Sequence, residues 1–314
     1  MREKITACII VKNEEENLER CLDSIREYVS QIVVVDTGSV DITPLIASQN
    51  NVDLFFHKWN KDFSEARNNS LKYARNEWIL VIDADEVIEN FGIDENKLND
   101  KSIGGFACTI LNNLNDDNEL HSKHTYTRLF RNHPQIRFSG NIHEQIKDSI
   151  LAQNLKIEES NVIFRHFGYI DTSTDKKLRN KELLEKSDLN DDFNKMNLAD
   201  TEFSLENIDK AFLLYDEIKD SNLLSNDQKE KVKIRLAQIS LKQNRIQDVL
   251  KFTDFNSTDI DLEGLRKFVL AAAYLDSQKY IEAKNLYQSN EVTKSSLVDK
   301  DIVMKALNAL YSIK

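Results

Sequence analysis

Short apolar segments alternate with helix-like segments through the first hundred residues, and this alternation limits the fold more than any other feature. Four apolar segments have the length and the Val/Ile content of buried strands: "ITACIIV", "QIVVVD", "VDLFFH" and "WILVID". After the first of them, apolar residues recur at spacings of three and four, as in an amphipathic helix: Leu18, Cys21, Leu22, Ile25 and Val29. Continuous apolar strands joined by helices predict an α/β domain whose parallel sheet is covered on both faces.

Beyond residue 100 the strand-like segments follow one another without helical periods between them: "GGFACTIL", "YTRLF", "IRFSG" and "NVIFRHFGY". We therefore expect the α/β half to close with a more antiparallel region. From about Thr172 onward only helical periods remain. This change predicts two domains, residues 1–171 with a Rossmann-like α/β fold and residues 172–314 with an all-α fold.

The helical half contains an internal repeat. The segments "NIDKAFLLY", "RIQDVLKFT" and "KYIEAKNLY" align on Ala211, Val249 and Ala283, which are 38 and 34 residues apart. Because 34 residues is the tetratricopeptide period, we predict tetratricopeptide-like helix pairs, with "DIVMKALNALYSI" as a capping helix. Stacked repeats form concave surfaces suited to a peptide, so we expect a peptide or protein partner there. A scaffold or a homodimer interface is the alternative use.

Composition argues against several classes of protein. A net charge of −11 disfavours nucleic-acid binding and attraction to anionic lipid. No apolar run approaches the roughly 20 residues of a membrane-spanning helix, and the N-terminal apolar stretch is short for a signal peptide. We therefore expect a cytoplasmic protein without a transmembrane segment. The scattered Cys8, Cys21 and Cys108 predict buried, reduced thiols.

Polar residues, many of them acidic, follow three of the predicted strands. The three groups are Lys12-Asn13-Glu14, Asp36-Thr37-Gly38-Ser39 and Asp83-Ala84-Asp85. Ligands of such sheets bind beyond the carboxyl ends of the parallel strands. The three groups therefore predict one binding site at one edge of the sheet.

The D-x-D pair Asp83 and Asp85 has the chemistry of a divalent metal site. Two carboxylates at an exposed strand end can share Mg²⁺ or Mn²⁺ and leave coordination positions for phosphate oxygens. An acidic site repels a nucleotide diphosphate unless a cation is present. The alternative is a helix N-cap formed by Asp85 or Glu86, and we assign Glu86 to the start of a helix.

These motifs together resemble a known family. "CIIVKNEEENLERCLDSI", "IVVVDTGSVDITPLIA", "FSEARNNSLKYARNEWILVIDADE" and "IRFSGNIHEQI" resemble, in the same order, the motifs of family 2 glycosyltransferases of the GT-A fold. The resemblance covers residues 4 to about 170. The trailing repeats extend it to a subgroup that includes the sublancin-type peptide S-glycosyltransferases, which attach a sugar to a cysteine of a bacteriocin peptide. The resemblance implies a UDP-sugar donor and a divalent cation.

The resemblance also implies roles for residues of the first two strand ends and the following helix. Val11, Asn13 and Glu14 would line the uridine pocket, with Glu14 near the ribose or the base. Asp36 would accept a hydrogen bond from the uracil N3–H. Arg67 would lie near the pyrophosphate or the ribose, where a guanidinium can bind phosphate through two hydrogen bonds.

For the metal site, the resemblance implies Asp85 as the main ligand and Asp83 as a contact to the ribose or the metal, with Ala84 between them. His166 in "FRHFGY" would complete the metal sphere as a neutral imidazole. A packed or solvent-exposed histidine is the alternative for His166.

The segment "GNIHEQI" contains the candidates for the catalytic base. The chain lacks the "E-D" acid pair that the family commonly carries downstream, so that pair cannot supply the base. An inverting transfer needs a base that deprotonates the acceptor. We assign this role to Glu144 and a sugar or acceptor contact to His143, with the reverse assignment as the alternative. From the residues alone, a polar pair on a strand is the other interpretation.

We therefore expect an inverting, metal-dependent transferase that moves a sugar, glucose or a related hexose, from a UDP-sugar to a peptide or protein side chain. A cell-surface glycan or a lipid-linked saccharide is the alternative acceptor. A catalytically silent interaction protein and a metal phosphohydrolase are the alternatives from other classes.

Overall fold

The computed structural model describes residues 1–113, 121–167 and 174–312. Of these, residues 1–113 and 122–167 belong to a first compact unit and residues 174–312 to a second. The first unit combines a sheet with helices and the second is helical, which confirms the predicted fold class. The predicted boundary between residues 171 and 172 lies outside the described residues.

An eight-stranded mixed sheet forms the centre of the first unit. Its strands are β1 (Ile5–Val11), β2 (Gln31–Asp36), β3 (Asp53–Phe56), β4 (Trp78–Val81), β5 (Glu86–Gly92), β6 (Ile103–Asn113), β7 (His121–Arg131) and β8 (Lys156–His166). Their order in space is β3-β2-β1-β4-β7-β6-β8-β5. The first four pair in parallel, as predicted, and β4 then pairs antiparallel with β7.

Helices cover both faces of the parallel strands because side chains alternate along each strand. The helices of this unit are α1 (Leu18–Ile25), α2 (Thr43–Gln49), α3 (Phe63–Leu71), α4 (Glu95–Asn99) and α5 (Lys147–Leu151). Ile5, Ala7 and Ile9 of β1 share a buried cluster with the apolar stripe of α1. Cys8, on the opposite face, lies in a second cluster with Leu71 of α3.

The part of the first unit that follows β4 differs from the prediction in three respects. Residues 136–140, predicted as the strand "IRFSG", are irregular, and Ser139 forms only an isolated bridge with Gln145. Helix α5 lies between β7 and β8, where no helix was expected. Strand β5 was not predicted, and it pairs antiparallel with β8 at one edge of the sheet.

A β-bulge shifts the register of β8 against its parallel neighbour β6. Ala107 pairs with Glu159, but the next pair joins Thr109 to Ile163, so β8 contributes two more residues than β6. The hydroxyl of Ser160, within the bulge, donates a hydrogen bond to the Ala107 carbonyl at 2.7 Å. Bulges of this kind re-aim the residues that follow them.

The second unit is built from helix pairs. Its helices are α6 (Thr174–Glu185), α7 (Asp192–Ser204), α8 (Ile208–Ile218), α9 (Asn226–Lys242), α10 (Ile246–Phe252), α11 (Ile260–Asp276), α12 (Tyr280–Tyr287), α13 (Asn290–Lys294) and α14 (Lys300–Ser312). The three predicted repeat segments form α8, α10 and α12, and their alignment residues Ala211, Val249 and Ala283 are fully buried. No helix in the described part of the chain is long and apolar enough to cross a membrane.

The same turn joins the two helices of each repeat. Glu206, Asn244 and Gln278 have φ angles of 62°, 56° and 59°, which lie in the left-handed region. The backbone N–H of the following residue donates to a carbonyl five positions earlier, at 2.8–2.9 Å in all three turns. This bond satisfies a terminal carbonyl of the first helix, as glycine-containing C-terminal caps do elsewhere. The turn recurs with the sequence spacing, so it is part of the repeat.

We predict that Gln278→Gly raises the free energy of unfolding. A side chain in the left-handed region costs about 1–2 kcal/mol, part of which is offset by the greater freedom of glycine in the unfolded chain. We expect a gain of about 0.5–1 kcal/mol in urea denaturation. Gln278→Ala keeps the Cβ atom and should give no such gain; equal gains in both variants would contradict the explanation.

Candidate active site

The three predicted groups of polar residues lie at one edge of the parallel strands. β1 ends at Val11 and β2 at Asp36, and Asp83 follows the last residue of β4 by two positions. Val11 lies opposite Asp36 in the register of β1 and β2, and β4 pairs with the other side of β1. The sheet thus brings Asp36 and the Asp83–Asp85 segment to the ends of the two strands that flank β1, at the edge that the sequence predicted.

Asp36 is buried, and its two carboxylate oxygens are used differently. Oδ1 accepts hydrogen bonds from the backbone N–H groups of Gly38 and Ser39, both at 2.8 Å. Gly38 has a φ of 111°, so the turn favours glycine. Oδ2 is buried and has no hydrogen-bond partner among the described residues. A buried acceptor of this kind is rare in proteins and suits a ligand that supplies a donor.

The loops that follow β1 and β2 are hydrogen-bonded to each other. Asn13, with a φ of 56°, donates its N–H to Ser39 Oγ at 2.9 Å, and its Oδ1 accepts from the N–H of Val40 at 2.8 Å. The N–H of Glu14 donates to Thr43 Oγ1 at 2.8 Å. The Asn13 side chain thus shapes the rim of the site.

Val11 and Ala84 occupy structural positions in the rim. The Val11 carbonyl accepts from the N–H and the hydroxyl of Thr37, at 2.9 and 3.0 Å. Both the Val11 and the Ala84 side chains are buried. Each of these residues can therefore contribute only backbone atoms to a donor site, because its side chain is buried.

Asp83 lies between Arg67, which is buried, and Arg128, whose side chain is 13% exposed. Its Oδ1 accepts from Arg67 Nη2 at 2.7 Å and its Oδ2 from Arg128 Nη2 at 3.1 Å. Arg128 Nη2 also donates to Glu86 Oε1 at 3.0 Å, and Arg67 Nε donates to Glu144 Oε1. These five residues form a continuous network of charged groups beneath the predicted site.

The network shifts the pKa values of its acids in opposite directions. Burial alone would raise the pKa of Asp83, but Arg67 and Arg128 outweigh it and hold that pKa well below its usual range. Burial, reinforced by the neighbouring Asp83, raises the pKa of Glu86 to about 7, although Arg128 opposes the shift. At neutral pH, Asp83 is therefore ionised and Glu86 is near its midpoint.

Helix α3 holds the loop that contains the predicted catalytic pair. Ser64 Oγ donates to the Gly140 carbonyl at 2.6 Å, and Gly140 adopts a φ of 97°. The Asn68 side-chain amide exchanges two hydrogen bonds with the Phe138 backbone, both at 2.9 Å. The sequence motif "S-x-A-R-N" thus encodes contacts to residues 138–144, which the sequence alone did not reveal.

Glu144 and His143 lie in this loop, so the interpretation as a polar pair on a strand is wrong. Glu144 is partly buried and bound to Arg67, whereas His143 is exposed and has a φ of 54°. Arg67 was expected near the pyrophosphate, but its Nε and Nη2 bind Glu144 and Asp83. Its Nη1 is buried without a hydrogen-bond partner in the described part of the chain and could still donate to a ligand.

Asp85 and His166 face each other at the ends of β5 and β8. Their Oδ2 and Nε2 atoms are 3.1 Å apart, and His166 Nδ1 is 2.8 Å from Asn112 Oδ1. The Phe167 N–H donates to the Asp85 carbonyl at 2.9 Å, so backbone pairing fixes the approach of the two side chains. A carboxylate and an imidazole at this separation fit two adjacent ligands of one divalent cation.

The structure favours Asp85 over Asp83 as the metal ligand, because both Asp83 oxygens accept hydrogen bonds from arginine. Among the described residues no group of three or more His, Cys, Asp or Glu side chains is arranged to hold a metal. Asp85 and His166 are thus a pair of side chains that could hold a cation. Mg²⁺ is often bound by few protein ligands, since it retains waters and binds substrate phosphates.

Sequence reasoning missed Arg128 and misassigned Glu86. Glu86 does not start a helix: it is the first residue of β5, is 2% exposed and pairs with Arg128. Its Oε2 also accepts the N–H of Asp83 at 3.0 Å, which closes the turn between β4 and β5. An arginine inside the apolar strand "YTRLF" was the available signal for Arg128, since buried charges require partners.

Residues 6–95 match the model of the glycosyl transferase family 2. This range extends from β1 into α4 and contains Asp36, Arg67 and Asp85. The resemblance to family 2 glycosyltransferases that the sequence predicts is therefore confirmed over these residues.

Particular proteins are similar to part of the chain. A TPR repeat-containing protein of Synechococcus elongatus is 37% identical over 176 residues, which are 53% of this chain and 42% of that protein. The SPbeta prophage-derived glycosyltransferase SunS of Bacillus subtilis is 33% identical over 148 residues, 45% of this chain and 34% of that protein. The chain spans less than half the length of these curated relatives.

Two solved structures show a partial likeness. The S. aureus TarS structure has a TM-score of 0.40 at 15% identity, covering 89% of this chain and 55% of that chain. Glucosyl-3-phosphoglycerate synthase from Mycobacterium tuberculosis, in complex with Mn²⁺, uridine diphosphate and phosphoglyceric acid, has a TM-score of 0.37 at 14% identity. It covers 52% of this chain and 70% of that chain.

We predict that Glu86→Gln removes a pH dependence of stability. The raised pKa of Glu86 means that its contribution to stability is complete below its ordinary pKa of about 4.5 and is lost as the pH rises through about 7. Glutamine stays neutral, so the melting temperature of the variant relative to wild type should rise by several degrees between pH 5 and pH 8.

Glu89→Gln is the matched control, because Glu89 lies on the same strand with its side chain 44% exposed. Its melting temperature relative to wild type should stay constant over the same pH range. The same constant difference for Glu86→Gln would contradict the assignment.

Proposed function

We propose that the protein is an inverting, metal-dependent glycosyltransferase that moves a sugar from a UDP-sugar donor to an acceptor side chain. The observation that carries this proposal is the placement of Asp36 and Asp85 at one sheet edge, within the residues that match the glycosyl transferase family 2 model. The unpartnered buried acceptor of Asp36 and the Asp85–His166 pair support this proposal, since the first suits a donor group of a ligand and the second suits a cation.

The donor nucleotide would bind along the ends of β1 and β2. Asp36 Oδ2 lacks a partner in the described structure and would accept the imide N–H of uracil, while Oδ1 keeps the loop in place. Val11, Asn13 and Glu14 would shape the pocket through the hydrogen-bonded rim. The free Nη1 group of Arg67 would face a phosphate or the ribose.

Asp85 and His166 would hold the divalent cation, Mg²⁺ or Mn²⁺. The cation supplies charge that stabilises the departing diphosphate. Asp83 would act through the arginines that it binds and through Ala84, which links it to Asp85 in the turn. This division of roles gives the two aspartates of the D-x-D pair different functions.

Glu144 would deprotonate the acceptor. Arg67 occupies its Oε1 and so orients the carboxylate, which leaves Oε2 to receive the proton. His143, exposed beside it, would contact the sugar or the acceptor, and the reverse assignment is the alternative.

We further propose a peptide or protein side chain as the acceptor, bound by the helical repeats, and glucose or a related hexose as the sugar. Helices α7, α9 and α11 line a hollow of about 230 Å³, with Phe203 and Phe268 beside Arg235 and Lys242. Aromatic and cationic side chains suit an extended peptide. A saccharide acceptor and a dimer interface on the repeats are the alternatives, and the cytoplasmic location stays a prediction.

The test of the reaction is the release of UDP from UDP-glucose or a related UDP-hexose in the presence of Mn²⁺. Asp85→Ala should abolish turnover and metal-dependent UDP binding, because it removes the main cation ligand. Asp23→Ala, which changes an acid with a side chain 68% exposed, should leave both unchanged. Full activity in Asp85→Ala would refute the metal role.

The same assay separates the alternative functions. No release from any UDP-sugar, combined with retained peptide binding, would favour an interaction protein. Release of orthophosphate from nucleotides would favour a phosphohydrolase. Comparing peptide, glycan and lipid-linked acceptors by mass spectrometry then decides between the proposed and the alternative acceptors.

We predict that Glu144→Gln lowers turnover by about 10²–10⁴-fold, the usual share of acid–base catalysis. UDP affinity, measured by calorimetry, should stay near the wild-type value because glutamine can still accept from Arg67. His143→Gln tests the reverse assignment. A larger loss of turnover in His143→Gln than in Glu144→Gln would indicate that His143 is the base and that Glu144 contacts the sugar or the acceptor. Loss of UDP binding in Glu144→Gln would show that Glu144 belongs to the donor site.

A further inference from the structure

We propose that Asn112 is a positioning residue of the metal site, whose amide oxygen fixes the ring of His166 so that Nε2 faces Asp85. The inference rests on the proposed function, in which Asp85 and His166 hold the cation. It adds a residue of β6 to a site otherwise built from the turn before β5 and the end of β8.

The contacts of the His166 ring support this role. Asn112 Oδ1 lies 2.8 Å from Nδ1, and Asp85 Oδ2 lies 3.1 Å from Nε2. An amide oxygen can only accept a hydrogen bond, so Nδ1 carries hydrogen in both charge states of the ring. Nε2 is then the nitrogen available to a metal, and histidine ligands usually have their other nitrogen held in this way.

The backbone places Asn112 for this contact. Asn112 and His166 are direct cross-strand partners in β6 and β8, and Asn112 is 6% exposed. They are partners only because the bulge at residues 160–162 shifts the register by two positions. With the register that precedes the bulge, His166 would face a residue two positions beyond Asn112. The bulge thus aligns an amide with the histidine of the site.

The first test measures Mn²⁺ affinity of the full chain by electron paramagnetic resonance, with UDP present. Asn112→Leu keeps the volume but removes the acceptor, and it should weaken Mn²⁺ binding by about 10–100-fold. Asn112→Asp keeps an acceptor oxygen and should bind within a few-fold of wild type.

A double-mutant cycle shows whether Asn112 acts through His166. In a His166→Ala background, Asn112→Leu should cause no further loss of Mn²⁺ affinity. An equal loss in both backgrounds, or wild-type affinity in Asn112→Leu, would overturn the inference.

The second test needs no metal, so it distinguishes failure of this inference from failure of the proposed function. In ¹H–¹⁵N spectra of the metal-free protein, the Nδ1–H of His166 should exchange slowly with solvent in wild type and in Asn112→Asp. It should exchange rapidly in Asn112→Leu. Rapid exchange in wild type would overturn the inference, whereas slow exchange without any Mn²⁺ binding would refute only the metal role.

Discussion

The guanidinium of Arg67 connects two parts of the first unit that lie far apart along the chain. It binds Asp83, which follows β4, and it binds Glu144 in the loop after β7. Glu144 lies 77 residues from Arg67 along the chain. All three groups are at least partly buried, so removing one would leave a charge without its partner, at a cost of about 3–5 kcal/mol. The geometry of the strand ends and that of the loop therefore depend on one side chain.

Arg128 and Glu86 extend this dependence to the next strands. Arg128 shares Asp83 with Arg67, and Glu86 closes the turn from which Asp85 projects. Networks of buried charges are favourable only when every member has its partners. Here each Asp83 oxygen accepts a hydrogen bond from an arginine. The two acids of the D-x-D pair can therefore differ in role: Asp83 organises the site, and Asp85 is left to face a ligand.

The sequence predicted the parallel half of the sheet well, because continuous Val/Ile strands and amphipathic helices are local signals. It also located the repeat, since Ala211, Val249 and Ala283 occupy the same buried position in each helix pair. The prediction from sequence failed where contacts between distant parts of the chain determine the local structure. "IRFSG" has the composition of a strand, but α3 binds its backbone with Ser64 and Asn68 instead. Glu86 has the sequence context of a helix cap, but in the structure it starts β5 and pairs with Arg128.

The bulge in β8 has a consequence for how the site responds to changes in chain length. Asn112 pairs with His166 because β8 contains two more residues than β6 at the bulge. The alignment of these two residues therefore depends on how many residues the bulge contains. Substitutions at residues 160–162 leave that number intact, whereas a deletion of two residues would move the histidine past its partner. The position of the metal-site histidine relative to Asn112 is therefore sensitive to the number of residues in this part of β8.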